Sequence, residues 1–112
     1  MGLFGCKSAS SYQSISVQEA KRIMDTQTDY IILDVRTLDE YNSGHIKNAI
    51  LIPNDEITNT AENILTDKNQ LILVYCRSGR RSKDAASKLA KLGYTNIKEF
   101  GGIINWSYEI VY

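Results

Sequence analysis

The sequence is poor in the residues that build metal centres and disulfide frameworks. Its 112 residues include two cysteines, Cys6 and Cys76, and one histidine, His45. Two cysteines cannot form a disulfide framework, and four-thiolate iron–sulfur clusters are excluded by the same count. A zinc site built from this chain alone lacks ligands as well. We therefore expect no metal and no cofactor.

Excess charge of either sign and long hydrophobic runs are also missing. Thirteen basic residues balance thirteen acidic ones, so no overall field favours nucleic acid or an anionic membrane as a partner. The longest apolar runs are strand-sized, which predicts no transmembrane segment. The length and the 43% hydrophobic content fit one ordinary globular domain. We expect a monomer, although the sequence leaves the oligomeric state open.

The start of the chain allows two interpretations. We predict a flexible leader over residues 1–13 and a folded domain over residues 14–112. Leu3-Phe4-Gly5-Cys6 resembles the end of a bacterial lipoprotein signal, but the charged and apolar parts of such a signal are missing before it. A plain flexible start, with a cytoplasmic protein, is favoured. A lipid-anchored location outside the cytoplasm stays open if Leu3–Cys6 is the remnant of a signal.

Hydrophobic patterns alternate between strand and helix. The apolar runs 30–35 and 71–75 are typical of strands buried on both faces. Capping boxes at 16–19 and 37–40 predict helix starts, and an apolar stripe over 85–92 predicts a longer helix that ends at Gly93. Weaker patterns favour a short strand over 49–52, helix over 55–65, a last central strand over 96–100 and a final short helix over 103–108. This alternation predicts a parallel sheet covered by helices on both faces.

Cys76 follows the clearest of these strands and precedes a helix. Ligands of parallel α/β sheets bind beyond the carboxyl ends of the strands, where Cys76 stands. Gly79 lets the loop after Cys76 curl so that its N–H groups point inward. Arg77, Arg80 and Arg81 add positive charge to this loop. We therefore predict a depressed pKa for Cys76 and a reactive thiolate. A buried structural cysteine is the alternative, which a loop this rich in arginine disfavours.

Two kinds of cysteine chemistry use this strand–loop–helix arrangement. Tyrosine-type phosphatases place an arginine six residues after the cysteine, where it binds phosphate with two parallel hydrogen bonds. Here the sixth residue is Ser82, and Arg81 is the fifth. The shorter loop fits a persulfide sulfur with an anionic donor better than a phosphate ester.

Four segments together resemble the single-domain rhodaneses, a family of sulfurtransferases. They are the loop Cys-Arg-Ser-Gly-Arg-Arg-Ser at 76–82, Asp-Val-Arg at 34–36, the stretch 40–49 around Gly44-His45-Ile46, and Gly-Gly-Ile-Ile-Asn-Trp at 101–106. They occur in the right order between about Ile15 and Trp106. Lys47-Asn48 departs from the Pro-Gly that is common in the family, which alters a surface turn.

The resemblance implies an α/β rhodanese-like fold with a central, mostly parallel five-stranded sheet and helices on both faces. It also implies that Cys76 takes a sulfane sulfur from an anionic donor such as thiosulfate and passes it to cyanide or a thiol. Two alternatives stay open: a non-enzymatic module that carries sulfur or docks a partner, and a cysteine-dependent phosphatase or arsenate reductase.

Roles for individual residues follow from this interpretation. We expect Cys76 to be catalytic and the rest of the loop to bind the substrate, namely Arg77, Ser78, Gly79, Arg80, Arg81 and Ser82. Arg77 and Arg80 are candidates for holding the donor, whereas Arg81 either shares that task or pairs with an acidic neighbour. Asp34 and Arg36 are expected to support the site, through an ion pair such as Arg36 with Glu40. His45 and Trp106 are expected to be structural.

Overall fold

The computed structural model describes residues 11–112. The Leu3–Cys6 segment and nearly all of the predicted leader lie outside these residues. Gln13, which the sequence interpretation assigns to the leader, instead forms a short edge strand with Ser14. Within residues 11–112 no helix has the length and apolar character needed to cross a bilayer.

Strands and helices alternate along the described chain. In order they are β1 (Gln13–Ser14), α1 (Val17–Thr26), β2 (Tyr30–Asp34), α2 (Leu38–Asn42), β3 (His45–Ile46), β4 (Ile50–Leu51), α3 (Ile57–Ile64), β5 (Leu71–Cys76), α4 (Arg80–Lys91), β6 (Ile97–Gly102) and β7 (Ile110–Val111). Short 3₁₀ turns lie at Asn54–Glu56 and Ile103–Asn105.

Five strands form one parallel sheet in the order β1-β6-β5-β2-β4. All six residues of the central strand β5 are buried. Apolar side chains of α3 and α4 pack on one face of the sheet, and those of α1 pack on the other with Phe100 and Trp106. The predicted α/β architecture, with a central five-stranded sheet and helices on both faces, is confirmed.

Side-chain caps explain where the first two helices begin. The Ser16 hydroxyl accepts a hydrogen bond from the Glu19 N–H at 3.0 Å, but the Glu19 carboxylate turns to Arg22 instead of completing the capping box. Thr37 and Glu40 form both bonds of the second capping box. The second box fixes α2 directly beyond the carboxyl end of β2, beside the loop that follows Cys76.

The last segment differs from the prediction. A helix over 103–108 is wrong: one 3₁₀ turn ends at Asn105, and the chain continues to β7, which pairs antiparallel with β3. Trp106 explains the difference, because its indole is buried against Phe100 with ring centroids 5.9 Å apart. The indole N–H donates to the Glu109 carbonyl at 3.1 Å. Burial of this ring, which the sequence interpretation expects to be structural, overrides the local helical pattern.

Candidate active site

Cys76 ends the central strand and is 1% exposed. Its sulfur accepts a hydrogen bond from the Gly79 N–H at 3.0 Å. Gly79 has φ 117° and ψ −19°, a region that favours glycine, and α4 begins at the next residue. The chain therefore turns back over the sulfur within three residues.

Hydrogen bonds decide the ionisation of this thiol. Burial raises the pKa of Cys76, but hydrogen bonds from the Ser82 hydroxyl and from the N–H groups of Gly79, Ser82 and Ser78 outweigh burial and place the pKa below the ordinary value of a thiol. Unpaired N–H groups at the start of a helix are suited to stabilising an anion in this way. The sequence interpretation named the loop N–H groups and the arginines together as the cause, and in the structure the hydrogen bonds of the loop lower the pKa.

Gly102 lets the loop lie close to the neighbouring strand β6. A Cβ atom at this position would stand 1.9 Å from the Arg77 carbonyl oxygen, far inside van der Waals contact. Its backbone is extended, so lack of space and not an unusual φ requires glycine here. The Arg77 carbonyl also accepts a hydrogen bond from the Ile104 N–H at 3.2 Å. The Gly-Gly segment thus holds the start of the loop.

The three loop arginines have different surroundings. Arg77 and Arg80 are exposed, and neither forms an ion pair with any other residue of the described chain. Arg81 binds the Glu40 carboxylate with two hydrogen bonds of 2.7 and 3.0 Å. These bonds lower the pKa of Glu40 to about 2. Of the two roles expected for Arg81, the acidic partner is the one that is seen.

Asp34 and Arg36 pair with each other, and the expected pair of Arg36 with Glu40 is wrong. The Arg36 guanidinium binds the Asp34 carboxylate at 2.7 Å and donates to the Gly44 carbonyl at 2.8 Å. The Tyr75 hydroxyl donates to Asp34 at 2.6 Å. The Arg36 N–H also donates to Asp34 Oδ1 at 2.9 Å, so a tight turn just beyond β2 brings Arg36 back to Asp34.

His45 has structural surroundings, as the sequence interpretation expects. Its ring stacks on Tyr41 with centroids 3.7 Å apart, and its Nδ1 lies 2.8 Å from the Tyr41 carbonyl oxygen. Tyr41 in turn donates to the Ala49 carbonyl at 2.6 Å. The ring therefore anchors the chain around β3.

Glu99 is a residue that the sequence interpretation missed. Its carboxylate is 1% exposed on β6 and accepts hydrogen bonds from the Ser82 hydroxyl at 2.8 Å and the Gly101 N–H at 3.1 Å. Burial raises the pKa of Glu99, but hydrogen bonds from the hydroxyls of Ser14 and Ser82 and from the Gly101 N–H, with the charge of Lys83, lower it below the usual value. The sequence offered no clear signal, because Lys98 directly precedes Glu99 in the same strand.

Cavities lie around the loop. One of about 310 Å³ lies beside Arg77 and Ile104, and one of about 560 Å³ lies beside Lys83 and Glu99. Cys76 lines neither cavity, in agreement with its burial. Within residues 11–112 no group of three or more histidine, cysteine, aspartate or glutamate side chains is arranged to hold a metal ion.

Comparison with known proteins agrees with this geometry. The sequence model of the rhodanese-like domain matches residues 16–109. The Escherichia coli (strain K12) protein named thiosulfate sulfurtransferase PspE is 37% identical over 71 residues, covering 63% of this chain and 68% of PspE. The Bacillus subtilis (strain 168) protein named putative sulfur carrier protein YrkF is 34% identical over 107 residues, covering 95% of this chain and 57% of YrkF. The chain thus spans little more than half of YrkF.

Solved structures show the same fold. The crystal structure of a rhodanese-related protein from Thermoplasma volcanium superposes with a TM-score of 0.77 at 30% identity, covering 89% of this chain and 98% of that one. The match of the family's sequence model to most of the chain, together with this likeness, shows that the protein belongs to the rhodanese-like family of sulfurtransferases.

Proposed function

We propose that the protein transfers a sulfane sulfur from an anionic donor such as thiosulfate to cyanide or a thiol, with Cys76 as the nucleophile. One observation carries the proposal: the Gly79 N–H donates to the Cys76 sulfur at 3.0 Å, and Ser78 and Ser82 add to its effect in holding the pKa of this thiol below the ordinary value. A thiol whose anion is stabilised in this way contributes more thiolate near neutral pH, and the thiolate is the attacking species.

In the first half-reaction, the Cys76 thiolate attacks the outer sulfur of thiosulfate. A bond forms between Sγ and that sulfur, the sulfur–sulfur bond of the donor breaks, and sulfite leaves with the electron pair. The negative charge moves to the outer sulfur of the new persulfide. The loop N–H groups that stabilise the thiolate are placed to stabilise this anion too.

In the second half-reaction, cyanide attacks the outer sulfur of the persulfide. The new carbon–sulfur bond forms thiocyanate, and the electrons of the broken sulfur–sulfur bond return to Sγ as a thiolate. A thiolate acceptor reacts in the same way and leaves as a persulfide. Charge and electrons balance in each step, so the chemistry requires no cofactor.

The loop side chains are suited to an anionic donor. Arg77 and Arg80 are exposed and unpaired among the described residues, so their guanidinium groups are free to bind the sulfonate oxygens of thiosulfate. Arg81 acts at a distance while it binds Glu40, because its charge still interacts favourably with the Cys76 thiolate. Ser78, Gly79 and Ser82 supply the donors at the sulfur. Asp34 and Arg36 support the neighbouring strand end without touching the substrate.

Intact-mass measurement tests the proposal. A Cys6→Ser variant leaves Cys76 as the sole thiol. After incubation with thiosulfate we expect a mass gain of one sulfur atom, which cyanide removes with release of thiocyanate. A matched variant that also carries Cys76→Ser should gain nothing. If the single variant gains no sulfur from thiosulfate or from any other small sulfane donor, the proposal is wrong.

A sulfur-carrier role is the second candidate, because the relative YrkF bears that name and aligns along nearly the whole chain. A carrier is loaded by another protein and not by a small molecule. Loading by a cysteine desulfurase with its cysteine substrate, with no loading by thiosulfate, would favour this role.

A cysteine-dependent phosphatase or arsenate reductase is less well supported. The position six residues after Cys76 holds Ser82, whose side chain is buried, and the Arg81 guanidinium is bound to Glu40. Turnover of an aryl phosphate that disappears in Cys76→Ser would favour it.

A further inference from the structure

Glu40 and Arg81 form an ion pair at the edge of the Cys76 loop. Hydrogen bonds of 2.7 and 3.0 Å join both carboxylate oxygens to both terminal nitrogens of the guanidinium. Glu40 also accepts hydrogen bonds from the N–H and the hydroxyl of Thr37, so local contacts hold its carboxylate at the start of α2. Within residues 11–112, Arg81 is thus the one loop arginine whose charge a bound carboxylate balances.

The cavity of about 310 Å³ beside the loop has a polar side and an apolar side. Arg77, the residue after Cys76, lies on its wall together with Glu40. Isoleucine side chains form the apolar side, namely Ile103, Ile104 and Ile110. Cys76 itself does not line the cavity. The cavity is therefore suited to the part of a donor that leaves, and not to the sulfur that is transferred.

The charges around this cavity match one negative charge better than two. The Arg36 guanidinium on its wall is bound to Asp34. The Arg81 guanidinium is bound to Glu40, and it must give up those hydrogen bonds before it can bind an oxygen of a donor. On this wall Arg77 is the guanidinium that forms no ion pair with another described residue. One unpaired cation beside an apolar wall fits a donor with a single negative charge and an organic group.

We propose that Glu40 is a specificity-determining residue: it withholds Arg81 from the second charge of a donor and so shifts the preference of the site towards a singly charged, organic sulfane donor. The proposal rests on the proposed role of Cys76 as the nucleophile. An organic thiosulfonate is the simplest donor of this class. The Cys76 thiolate attacks its outer sulfur, the sulfur–sulfur bond of the donor breaks, and a sulfinate leaves with the electron pair. The persulfide then carries one negative charge and the sulfinate the other, so charge balances.

The first experiment compares two donors that share the reacting sulfur–sulfur bond, thiosulfate with two negative charges and methanethiosulfonate with one. With cyanide as the acceptor, kcat/KM for each donor reports the first half-reaction. A change in the nucleophilicity of Cys76 affects both donors, so the ratio of the two kcat/KM values isolates the charge of the donor. Glu40→Gln should raise the ratio of thiosulfate to methanethiosulfonate about fivefold, because the released and partly exposed Arg81 binds the second charge.

Two further variants separate the bound guanidinium from charge alone. In an Arg81→Gln background, Glu40→Gln should change the ratio less than about twofold, because no guanidinium is released. Asp39→Asn is the matched control, since Asp39 is an exposed carboxylate on the same helix and forms no ion pair within residues 11–112. It should leave the ratio nearly unchanged. An unchanged ratio in Glu40→Gln, an equal change in the Arg81→Gln background or an equal change in Asp39→Asn would overturn the proposal.

Protection of Cys76 from iodoacetamide tests the withheld arginine without any sulfur transfer, so its failure is distinguishable from failure of the proposed function. The background is Cys6→Ser, in which Cys76 is the sole thiol. Sulfate is the doubly charged probe and methanesulfonate the singly charged one. Glu40→Gln should strengthen protection by sulfate about fivefold and protection by methanesulfonate less than about twofold, each relative to the unprotected rate of the same variant. Equal strengthening for both anions, or none for sulfate, would overturn the proposal.

Ile104→Ser tests the place of the organic group. Ile104 is 57% exposed and bonds to Arg77 through its backbone N–H, so the variant should fold. The preference for benzenethiosulfonate over methanethiosulfonate should fall about fivefold, because apolar contact with the ring is lost. Ile64→Ser is the control, since Ile64 is 48% exposed on α3 and does not line the cavity. A preference that is unchanged in Ile104→Ser, or that falls equally in Ile64→Ser, would overturn the assignment of an organic donor.

Discussion

Asp34 and Glu99 are both buried carboxylates on the strands that flank β5, yet their partners differ in kind. Asp34 binds the Arg36 guanidinium through both carboxylate oxygens and accepts the Tyr75 hydroxyl. Burial and the bond to Asp34 raise the pKa of Tyr75 far above its ordinary value, so this hydroxyl remains a donor. Arg36 is itself held by the Gly44 carbonyl. Each member of this network is therefore held by fixed partners.

Glu99 has weaker partners. Among residues 11–112 its cation is Lys83, at 3.4 Å and with a side chain that is 54% exposed, and its other donors are hydroxyls and one N–H. One of those hydroxyls, that of Ser82, also lowers the pKa of Cys76. The difference teaches that a polar network in which every group is hydrogen-bonded fixes the shape of the sheet edge. The Glu99 network instead depends on hydroxyl and N–H donors beside the Cys76 loop.

Arg36→Ala should have the largest effect, because it breaks the network around Asp34. The Asp34 carboxylate would lose its cation in the interior, and removing one partner of a buried ion pair costs about 3–5 kcal/mol. We expect the free energy of unfolding in urea to fall by about this amount. The control is Arg22→Ala, which breaks a similar two-bond arginine pair with Glu19 at the surface.

Comparison of the two arginine variants tests whether burial makes an arginine–carboxylate pair more important for stability. The surface variant should be hard to distinguish from the parent protein, because solvent screens the exposed pair. If Arg36→Ala and Arg22→Ala lower the free energy of unfolding equally, the buried Arg36–Asp34 pair stabilises the protein no more than the exposed Arg22–Glu19 pair does.

Gly102→Ala should have the next largest effect, and it acts on the Cys76 loop. The added Cβ would overlap the Arg77 carbonyl, so the loop must move, at about 1–3 kcal/mol as for other overpacked sites. Movement of the loop displaces the donors at the sulfur. We therefore expect the pKa of Cys76, measured by alkylation against pH, to rise towards the ordinary value of a thiol.

Gly101→Ala is the matched control for this loop variant. A Cβ there meets no atom within 4 Å, although its φ of +84° is strained for any other residue. It should cost stability through the backbone alone and leave the pKa of Cys76 nearly unchanged. If Gly101→Ala raises the pKa of Cys76 as much as Gly102→Ala does, close contact at Gly102 is not the cause of the rise.

The central part of the fold and the position of Cys76 could be predicted from the sequence because both depend on local patterns. The β5 segment is a continuous apolar run, Thr37 and Glu40 form a local capping box, and Gly79 stands where the chain needs a left-handed residue. Each of these features is determined by neighbours in the chain.

Contacts between distant segments could not be predicted in this way. Strands β1, β3 and β7 have two residues each, too few to show a period. The pair of Arg81 with Glu40 joins residues on two helices that are far apart in the sequence. For this reason the sequence alone could not decide whether Arg81 binds the substrate or an acidic neighbour. Glu99 became visible as part of the site once the structure placed β6 beside the helix that carries Ser82.

Glu40→Gln should have the smallest effect and tests the link between the two regions, since Glu40 on α2 binds Arg81 on α4. Glutamine still caps α2, so the variant removes only the charge. The pKa of Glu40 is about 2 in the folded protein against 4.5 ordinarily, so its contribution to stability is complete above about pH 4.5 and is lost as the pH falls towards 2.

Because the Glu40–Arg81 pair is about one-third exposed, we expect at most about 1 kcal/mol less stability in Glu40→Gln at pH 7. The deficit in the urea midpoint relative to the parent should narrow at pH 3.5. Glu62→Gln, which alters the more exposed pair with Lys68, is the control for a general loss of negative charge. A deficit that stays constant between pH 7 and pH 3.5 would show that the ionised carboxylate of Glu40 does not stabilise this edge of the loop.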